Sequence, residues 1–426
     1  MKKVGVAILG LGVVGGGTYN ILKEKKNDFK KNQGLDVVVE AVLEKNLDRA
    51  LSLGIDKSII ASSIEEIVTN PAVDIVVEVM GGVEPAKTFV LKALYSGKSV
   101  VTSNKELFAK HWSELEAEAK KMNVGLFFEA SCVGGVPIIR TLIDSMQGNK
   151  ILSLKGIING TTNYILTKMS TAGYSYEEAL KEAQKLGYAE FNPTADVEGF
   201  DATYKLSILS SLAFNTKIPI ESIHREGITN ITKEDIAFAK ELGYNIKLLG
   251  VGKNTDKGIE VRVHPALVPL DSPLASVSDS FNAVSIVGDN VGEIMLYGRG
   301  AGALPTGSAI VSDIIFAGTH QTYYYAPFEN NEKGAKETKF VRDFNTQYFI
   351  KLSVKDITGV LSKISGIFAK NDVSIEEAKQ VAEKDGVVPM VIVTHSGPES
   401  AVNKAIEKIK TVDGVVSVDS ILRIEK

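Results

Sequence analysis

A single cysteine, Cys132, stands in a chain of 426 residues, so no intramolecular disulfide or cysteine-rich zinc site can form, and a reducing compartment suits the chain. Histidine is scarce too. His111, His224, His264, His320 and His395 show no metal-ligand spacing, and no catalytic metal is expected. Basic charge is not in surplus: 48 Lys and Arg against 52 Asp and Glu give a net charge of −4, which advertises neither nucleic acid nor anionic lipid as a partner. No apolar run approaches the roughly 18 residues that span a bilayer. Met1-Lys2-Lys3 followed by apolar residues 4–14 superficially resembles a signal peptide, but Gly10, Gly12 and Gly15 to Gly17 interrupt it and no small-residue cleavage site follows cleanly. The cytoplasm is the expected location. With only 12 prolines, 44% hydrophobic and 23% charged residues, the composition is that of a folded globular chain.

What is present is length and periodicity. At about 150 residues per domain, the chain suggests two or three domains. Apolar runs of strand length at 4–9, 37–43, 74–79, 99–102 and 125–129 alternate with helical stretches at 18–26, 64–69, 85–96 and 106–122. That alternation indicates an α/β fold built on a parallel, doubly wound sheet of Rossmann type. Beyond a Gly-rich turn at 133–137 the pattern is less regular: a strand at 152–158, helices at 163–171, 175–186 and 201–214, and a β-like stretch at 247–296 suggest an α+β domain. The polar, aperiodic run 329–337 reads as a linker from which the last stretch hangs as a separable module. That stretch has the order βαββαβ and is ferredoxin-like. The expected divisions are 1–130, completed by 304–320, for a dinucleotide-binding domain, 131–303 for the α+β domain, 321–347 for the linker and 348–426 for the last module.

Gly10-Leu11-Gly12-Val13-Val14-Gly15 matches GxGxxG between a strand and a helix. The glycines allow a tight turn, close approach to a pyrophosphate and helix–strand packing, and the helix N-terminus faces the anion. After the second strand, Glu44 suits a ribose 2′-OH while Lys45 or Arg49 suits a 2′-phosphate, so the choice between NAD and NADP stays open. Asp201 and Lys205 are four apart on a helix that continues into an apolar stretch, with Asp196, Glu198, Glu190 and Tyr188 upstream. A surface pair of this kind is worth little, but a lysine at the start of a core-bound helix can serve as a proton donor. Lys105 follows the fourth strand directly, where α/β sheets bind ligands, and Asn104 or Ser103 would cap its helix. Cys132 reads as a packing residue, with no histidine near it in sequence.

Together with Glu78-Val79-Met80-Gly81-Gly82, Thr102 to Lys105, Asn159-Gly160-Thr161-Thr162-Asn163-Tyr164, residues 186–205 and Gly298 to Ala303, these motifs resemble homoserine dehydrogenase along the whole chain. The resemblance is to the monofunctional form, since no kinase portion precedes the motifs, and it extends to a C-terminal ACT domain. It implies reduction of L-aspartate 4-semialdehyde to L-homoserine with NADPH or NADH, in threonine and methionine biosynthesis. It makes 131–303 a catalytic and dimerisation domain, and the chain a homodimer or homotetramer.

Residue by residue, the resemblance makes Lys205 the proton donor and Lys105 a second active-site lysine near the nicotinamide. Gly187, Glu190, Asp196 and Asp201 would bind the substrate. Gly10, Gly12, Val13, Val14, Gly15, Lys45, Lys105 and Gly302 would bind the cofactor. A structural sodium ion would sit on main-chain oxygens of Glu129, Cys132, Gly134 and Val136. Threonine would act as feedback effector at Asp356, Gly359 and Val360. Two positions depart from the family pattern: Asn192 stands where Asp is expected, and Cys132 where Val is expected. Two competing readings are a dinucleotide-sensing regulator, which leaves Asp201 and Lys205 unexplained, and aspartate-semialdehyde dehydrogenase, which needs Cys132 as nucleophile.

Overall fold

A computed structural model describes residues 1–320, 328–331, 337–380 and 386–426, so that part of the expected linker, 321–327 and 332–336, lies outside the described residues. The chain forms two compact units. The first comprises Met1–Gly160, Asp201–Ile223 and Ser280–Thr338, and the second comprises Thr161–Phe200, His224–Asp279 and Lys339–Lys426.

The first unit is built on six parallel strands, β1 (Lys2–Leu9), β2 (Leu35–Leu43), β3 (Ile60–Ala61), β4 (Ile75–Glu78), β5 (Ser99–Thr102) and β6 (Leu126–Phe127), in the order 3-2-1-4-5-6. The α/β class read from the alternation is the observed one; the two-residue β3 is too short to leave a pattern in sequence. In β1, Val4 to Leu9 are all buried, as expected for a central strand covered on both faces. The strand order reverses between β1 and β4, which opens a crevice at the carboxyl ends that carry Gly10, Glu78 and Thr102. The helix Ala303–Thr319 packs on the helix Val13–Glu24, and Ile310, Ile314 and Ala317 join Ile8, Leu11 and Leu22 in one core. Gly17 is required at that contact, because a Cβ there would lie 2.3 Å from the Ala303 carbonyl oxygen. In the same unit Phe281–Gly288 pairs antiparallel with both Ile151–Ile157 and Gly292–Arg299. The helix Phe200–Ala213 is buried along most of its length, which fixes the side chains at its start.

In the second unit the strands Tyr244–Thr255 and Gly258–Pro269 form a long antiparallel hairpin. The strand Val415–Ile424 pairs in parallel with this hairpin at Ala266 and Leu267, and then antiparallel with Asn345–Lys355, followed by Val387–Thr394 and Ile375–Gln380. The helices Val360–Lys370 and Glu399–Ile409 complete the ferredoxin-like βαββαβ order around a core of Ile350, Leu352, Ile364, Phe368, Ile392 and Ile406.

One expectation is corrected here. The last module is not a separable bead on a linker, because its final strand continues the hairpin's sheet. Arg262 of the hairpin, wholly buried, pairs with Glu425 and with Glu260 (2.9 Å), and Arg423 pairs with Glu226 (2.8 Å) and Glu399 (2.7 Å). Deleting 348–426 would strip a sheet neighbour and take from the buried Arg262 one of its two carboxylates. Among the described residues no helix is long and apolar enough to cross a membrane.

Candidate active site

Asn104 caps the helix Lys105–Met122 by accepting the Leu107 amide (3.1 Å), which places Lys105 in the first turn beyond β5. The start of the helix Phe200–Ala213 places Asp201 opposite it. Asp201 is 5% exposed; its Oδ2 accepts from Lys205 Nζ (2.6 Å) and Asn159 Nδ2 (2.9 Å), and its Oδ1 lies 3.1 Å from Lys105 Nζ. Lys205 Nζ also donates to the Ile158 carbonyl (2.9 Å). Burial alone would raise the Asp201 pKa, but the charges of Lys205 and Lys105 outweigh it and hold the carboxyl well below the ordinary range. The result is one buried carboxylate flanked by two ammonium groups. Such a centre can orient a proton donor and steady a developing oxyanion. Sequence reasoning assigned no role to Asn159, although the motif containing it was singled out.

Cys132 lies beneath this cluster. It is wholly buried with Sγ 3.8 Å from the Lys205 carbonyl, and burial pushes its thiol up to about 12, so no thiolate is available as a nucleophile. The following turn is unusual: Val133 (φ 55°) and Gly134 (φ 54°) are both left-handed. A β-branched residue in that region costs about 1–3 kcal/mol and persists only where the surroundings over-determine it. Gly134 is required, since a Cβ would meet the Gly300 carbonyl at 2.4 Å. The Glu129 carbonyl accepts from the Cys132 amide (3.4 Å) and the Val136 carbonyl from the Ile138 amide (2.8 Å), which leaves each oxygen a second lone pair. The Glu129 side chain is engaged elsewhere: it accepts from the Ile139 (2.9 Å) and Arg140 (2.8 Å) amides, and burial beside Asp313 pushes its pKa up to about 7.

A cleft of about 860 Å³ opens at the carboxyl ends of the parallel strands, lined among others by Gly10, Gly12, Glu44, Lys45, Met80 and Gly81. Gly10 is left-handed (φ 94°), and a Cβ on Gly15 would lie 2.0 Å from the Gly10 carbonyl oxygen. Nothing lies within 4 Å of a Cβ built on Gly12, and the helix Val13–Glu24 begins there with no side-chain cap, so its first amides are available to an anion. Val13 is exposed and Val14 half-buried. Gly302 (φ 121°) starts the helix Ala303–Thr319. These residues fit a dinucleotide. Glu44 is drawn back to the glycine loop, its oxygens accepting the Leu11 (2.6 Å) and Asn46 (2.8 Å) amides, while Arg49 Nε donates to the Leu11 carbonyl (3.0 Å). Lys45 stays exposed at the cleft wall.

The remaining expected residues belong to the second unit. Gly187 (φ 77°) follows the helix Tyr176–Lys185, and Gln184 Nε2 holds the carbonyls of Glu190 (3.1 Å) and Phe191 (3.3 Å), leaving the Glu190 side chain exposed. Asp196 is half-buried in the short helix Thr194–Val197. Asn192 Oδ1 accepts the Thr194 hydroxyl (2.7 Å) and amide (3.3 Å), contacts that need only its carbonyl oxygen. At the far end, Asp356 is exposed, Gly359 is left-handed (φ 90°) and Val360 is buried at the start of the helix Val360–Lys370, which has no side-chain cap.

Residues 137–315 match the family described as homoserine dehydrogenase, residues 10–129 match the homoserine dehydrogenase NAD binding domain, and residues 348–413 match the ACT domain. A homoserine dehydrogenase from Bacillus subtilis is 40% identical over 434 residues, covering 100% of this chain and 99% of its own length. The crystal structure of one from Thiobacillus denitrificans superposes with a TM-score of 0.93 at 40% identity, covering 100% of this chain and 99% of that one. A hyperthermophilic archaeal homoserine dehydrogenase in complex with NADPH matches with a TM-score of 0.65 at 31% identity, covering 76% of this chain and 100% of that one.

Proposed function

Since the chain belongs to the homoserine dehydrogenase family and is an oxidoreductase with a nicotinamide dinucleotide-binding domain, we propose that it reduces L-aspartate 4-semialdehyde to L-homoserine with NADPH, and with NADH as a second cofactor. The observation that carries this reading is the buried Asp201 holding Lys205 and Lys105 side by side. The nicotinamide, when bound, supplies hydride to the aldehyde carbon. Charge then develops on the aldehyde oxygen, and Lys205 delivers the proton to that atom. An ammonium has three N–H donors; Asp201 and Ile158 take two on Lys205, and the third serves the substrate. Lys105 adds positive charge beside it. Carboxylates such as Glu190 and Asp196 suit the substrate's α-ammonium group, and Gly187 offers backbone atoms. The glycine loop with Val13, Val14 and Gly302 holds the dinucleotide, and Lys45 faces the 2′-phosphate, as Glu44 is already engaged with amides. Aspartate-semialdehyde oxidation through a thioester is disfavoured by the sealed Cys132.

The test is an NADPH-oxidation assay with aspartate semialdehyde. Lys205→Ala should lower kcat by about a hundredfold or more while cofactor affinity holds. Near-normal turnover would remove Lys205 from its role.

Three further parts of the reading have local support. A sodium ion on the main-chain oxygens of Glu129, Cys132, Gly134 and Val136 would supply what the left-handed Val133-Gly134 turn is shaped around. Threonine as feedback effector fits the uncapped helix start at Asp356, Gly359 and Val360, whose amides can take a carboxylate. Assembly through a second copy is supported by Gly292–Arg299, an edge strand of the first unit with Met295 and Tyr297 exposed. Rates measured with and without Na⁺ and millimolar threonine, and a sedimentation mass, check these in turn; indifference to either ligand, or a monomer, sinks the corresponding part.

A further inference from the structure

Glu78 is an acid with no part in the reaction above, yet it is fully buried at the last register position of β4, opposite Thr102 of β5. Its oxygens accept from the Thr102 hydroxyl (2.7 Å), the Met80 amide (2.9 Å), the Gly81 amide (3.3 Å) and, at the limit, Asn104 Nδ2 (3.5 Å). Three of them are N–H groups that converge on Oε1 and can only donate, and the fourth, the Thr102 hydroxyl, meets Oε2. The two carboxyl oxygens accept all four, whereas an amide would turn an NH₂ either toward the N–H groups or toward the Thr102 hydroxyl, which would then lose its acceptor. Burial raises the Glu78 pKa, and the hydrogen bonds work against that rise. Burying a carboxyl among neutral donors is costly.

The donors come from two loops with different duties. Met80 and Gly81 line the nucleotide cleft. Thr102 and Asn104 carry Lys105: the Thr102 oxygen accepts the Asn104 amide (3.0 Å), Asn104 Nδ2 donates to the Gly82 carbonyl (2.6 Å), and Asn104 Oδ1 caps the helix that begins at Lys105. The two loops therefore cannot shift independently without breaking bonds to Glu78.

We propose that Glu78 is a positioning residue, whose carboxylate clamps the cleft-lining loop to the loop that delivers Lys105 and so sets where the Lys105 ammonium stands during hydride transfer. This rests on the reaction proposed above. Displacing a catalytic group by about 1 Å can cost a hundredfold in rate, so a clamp of this kind acts on kcat more than on binding.

The test is a double-mutant cycle on kcat, read in the homoserine-oxidising direction with NADP⁺, using Glu78→Gln, Lys105→Ala and the pair. Glu78→Gln should lower kcat by about ten- to a hundredfold, with a much smaller change in the KM for homoserine. In the Lys105→Ala background it should cost no more than about twofold further, since the lysine it positions is gone. A merely structural acid would multiply its loss onto that of Lys105→Ala, and that result, or a normal kcat for Glu78→Gln, overturns the clamp. Should Glu78→Gln fail to fold, Thr102→Val takes its place in the same cycle, with Thr102→Ser expected to restore the rate; equal rates for the two would also overturn it. A wild-type chain without turnover of homoserine would overturn the reaction itself and the clamp with it.

Discussion

Asp201 in the first unit and Glu425 in the second are both carboxylates buried against cations, 5% and 3% exposed, but the cations are used differently. Around Asp201 they are lysines, compact ammonium groups on flexible stems, and the side chain of Lys105 is 40% exposed. Around Glu425 the main cation is Arg262, 0% exposed, whose planar fork is spent on Glu425, Glu260 and His264 and whose charge lies 4.6 Å above the Phe344 ring. One cluster keeps its cations within reach of solvent. The other is closed, and its work is to bind the last strand of the chain to the hairpin. Burial of a carboxylate alone therefore says little about function; what separates the two is whether the paired cations are themselves sealed from solvent.

The largest expected effect breaks the closed cluster. Arg262→Met leaves Glu425 with Lys253 alone and takes the arginine from Glu260, and should destabilise the protein by about 3–5 kcal/mol, while kcat per folded molecule is unchanged. Urea denaturation followed by circular dichroism measures the first and active-site-normalised rates the second; a loss of kcat with normal stability would reverse the contrast drawn here.

Acid should find the same weak point. His264 donates from Nδ1 to the Pro265 carbonyl (3.1 Å) and accepts at Nε2 from Arg262 (3.1 Å), which fixes it neutral. Burial first, and then Arg423 and Arg262, push its pKa from 6.5 down to about 3. The unfolded chain thus takes up a proton that the folded chain refuses, and stability falls as pH drops from about 6.5 towards 3. Glu425 adds to this lower down. Burial would raise its pKa, but Arg262 and Lys253 hold it from 4.5 down to about 2, so its contribution is present above 4.5 and is lost as pH falls towards 2. Melting temperatures between pH 7 and 3 should decline, and Glu425→Gln should flatten the part below about 4.5. A level profile would show that the cluster does not govern acid stability.

The smallest expected effect lies at the open side of the first unit. Lys45→Ala should raise the KM for NADPH severalfold, an exposed charge being worth about 1 kcal/mol or less, and leave that for NADH in place. Equal effects would show that Lys45 does not meet the 2′-phosphate.

Much of the open cluster was legible in the sequence because its parts are local. Asp201 and Lys205 are one helical turn apart, Lys105 directly follows a strand, and the glycine fingerprint is six residues read in order. The closed cluster was not legible: Arg262 and Glu425 are 163 residues apart, and only the pairing of the final strand with the hairpin brings them together. A polar run between them reads as a linker, and no pattern in it could reveal a shared sheet. Glu78 and Thr102, 24 apart, fall between these cases. Each ends a strand whose apolar run was read correctly, but that the strands are neighbours, level with each other, is a fact of the sheet and not of either segment.

The position of Cys132 has a use that is independent of any reaction. As the sole thiol of the chain, wholly buried against the backbone of Lys205, it is shielded from alkylating reagents for as long as the floor of the cluster stays shut. The rate at which the native chain is labelled is then a direct clock for local opening beneath Lys205, with no background from other thiols to subtract. Occupancy of the cleft, a bound cation or an effector can each be scored by how far it slows that clock, without a substrate and without an engineered label.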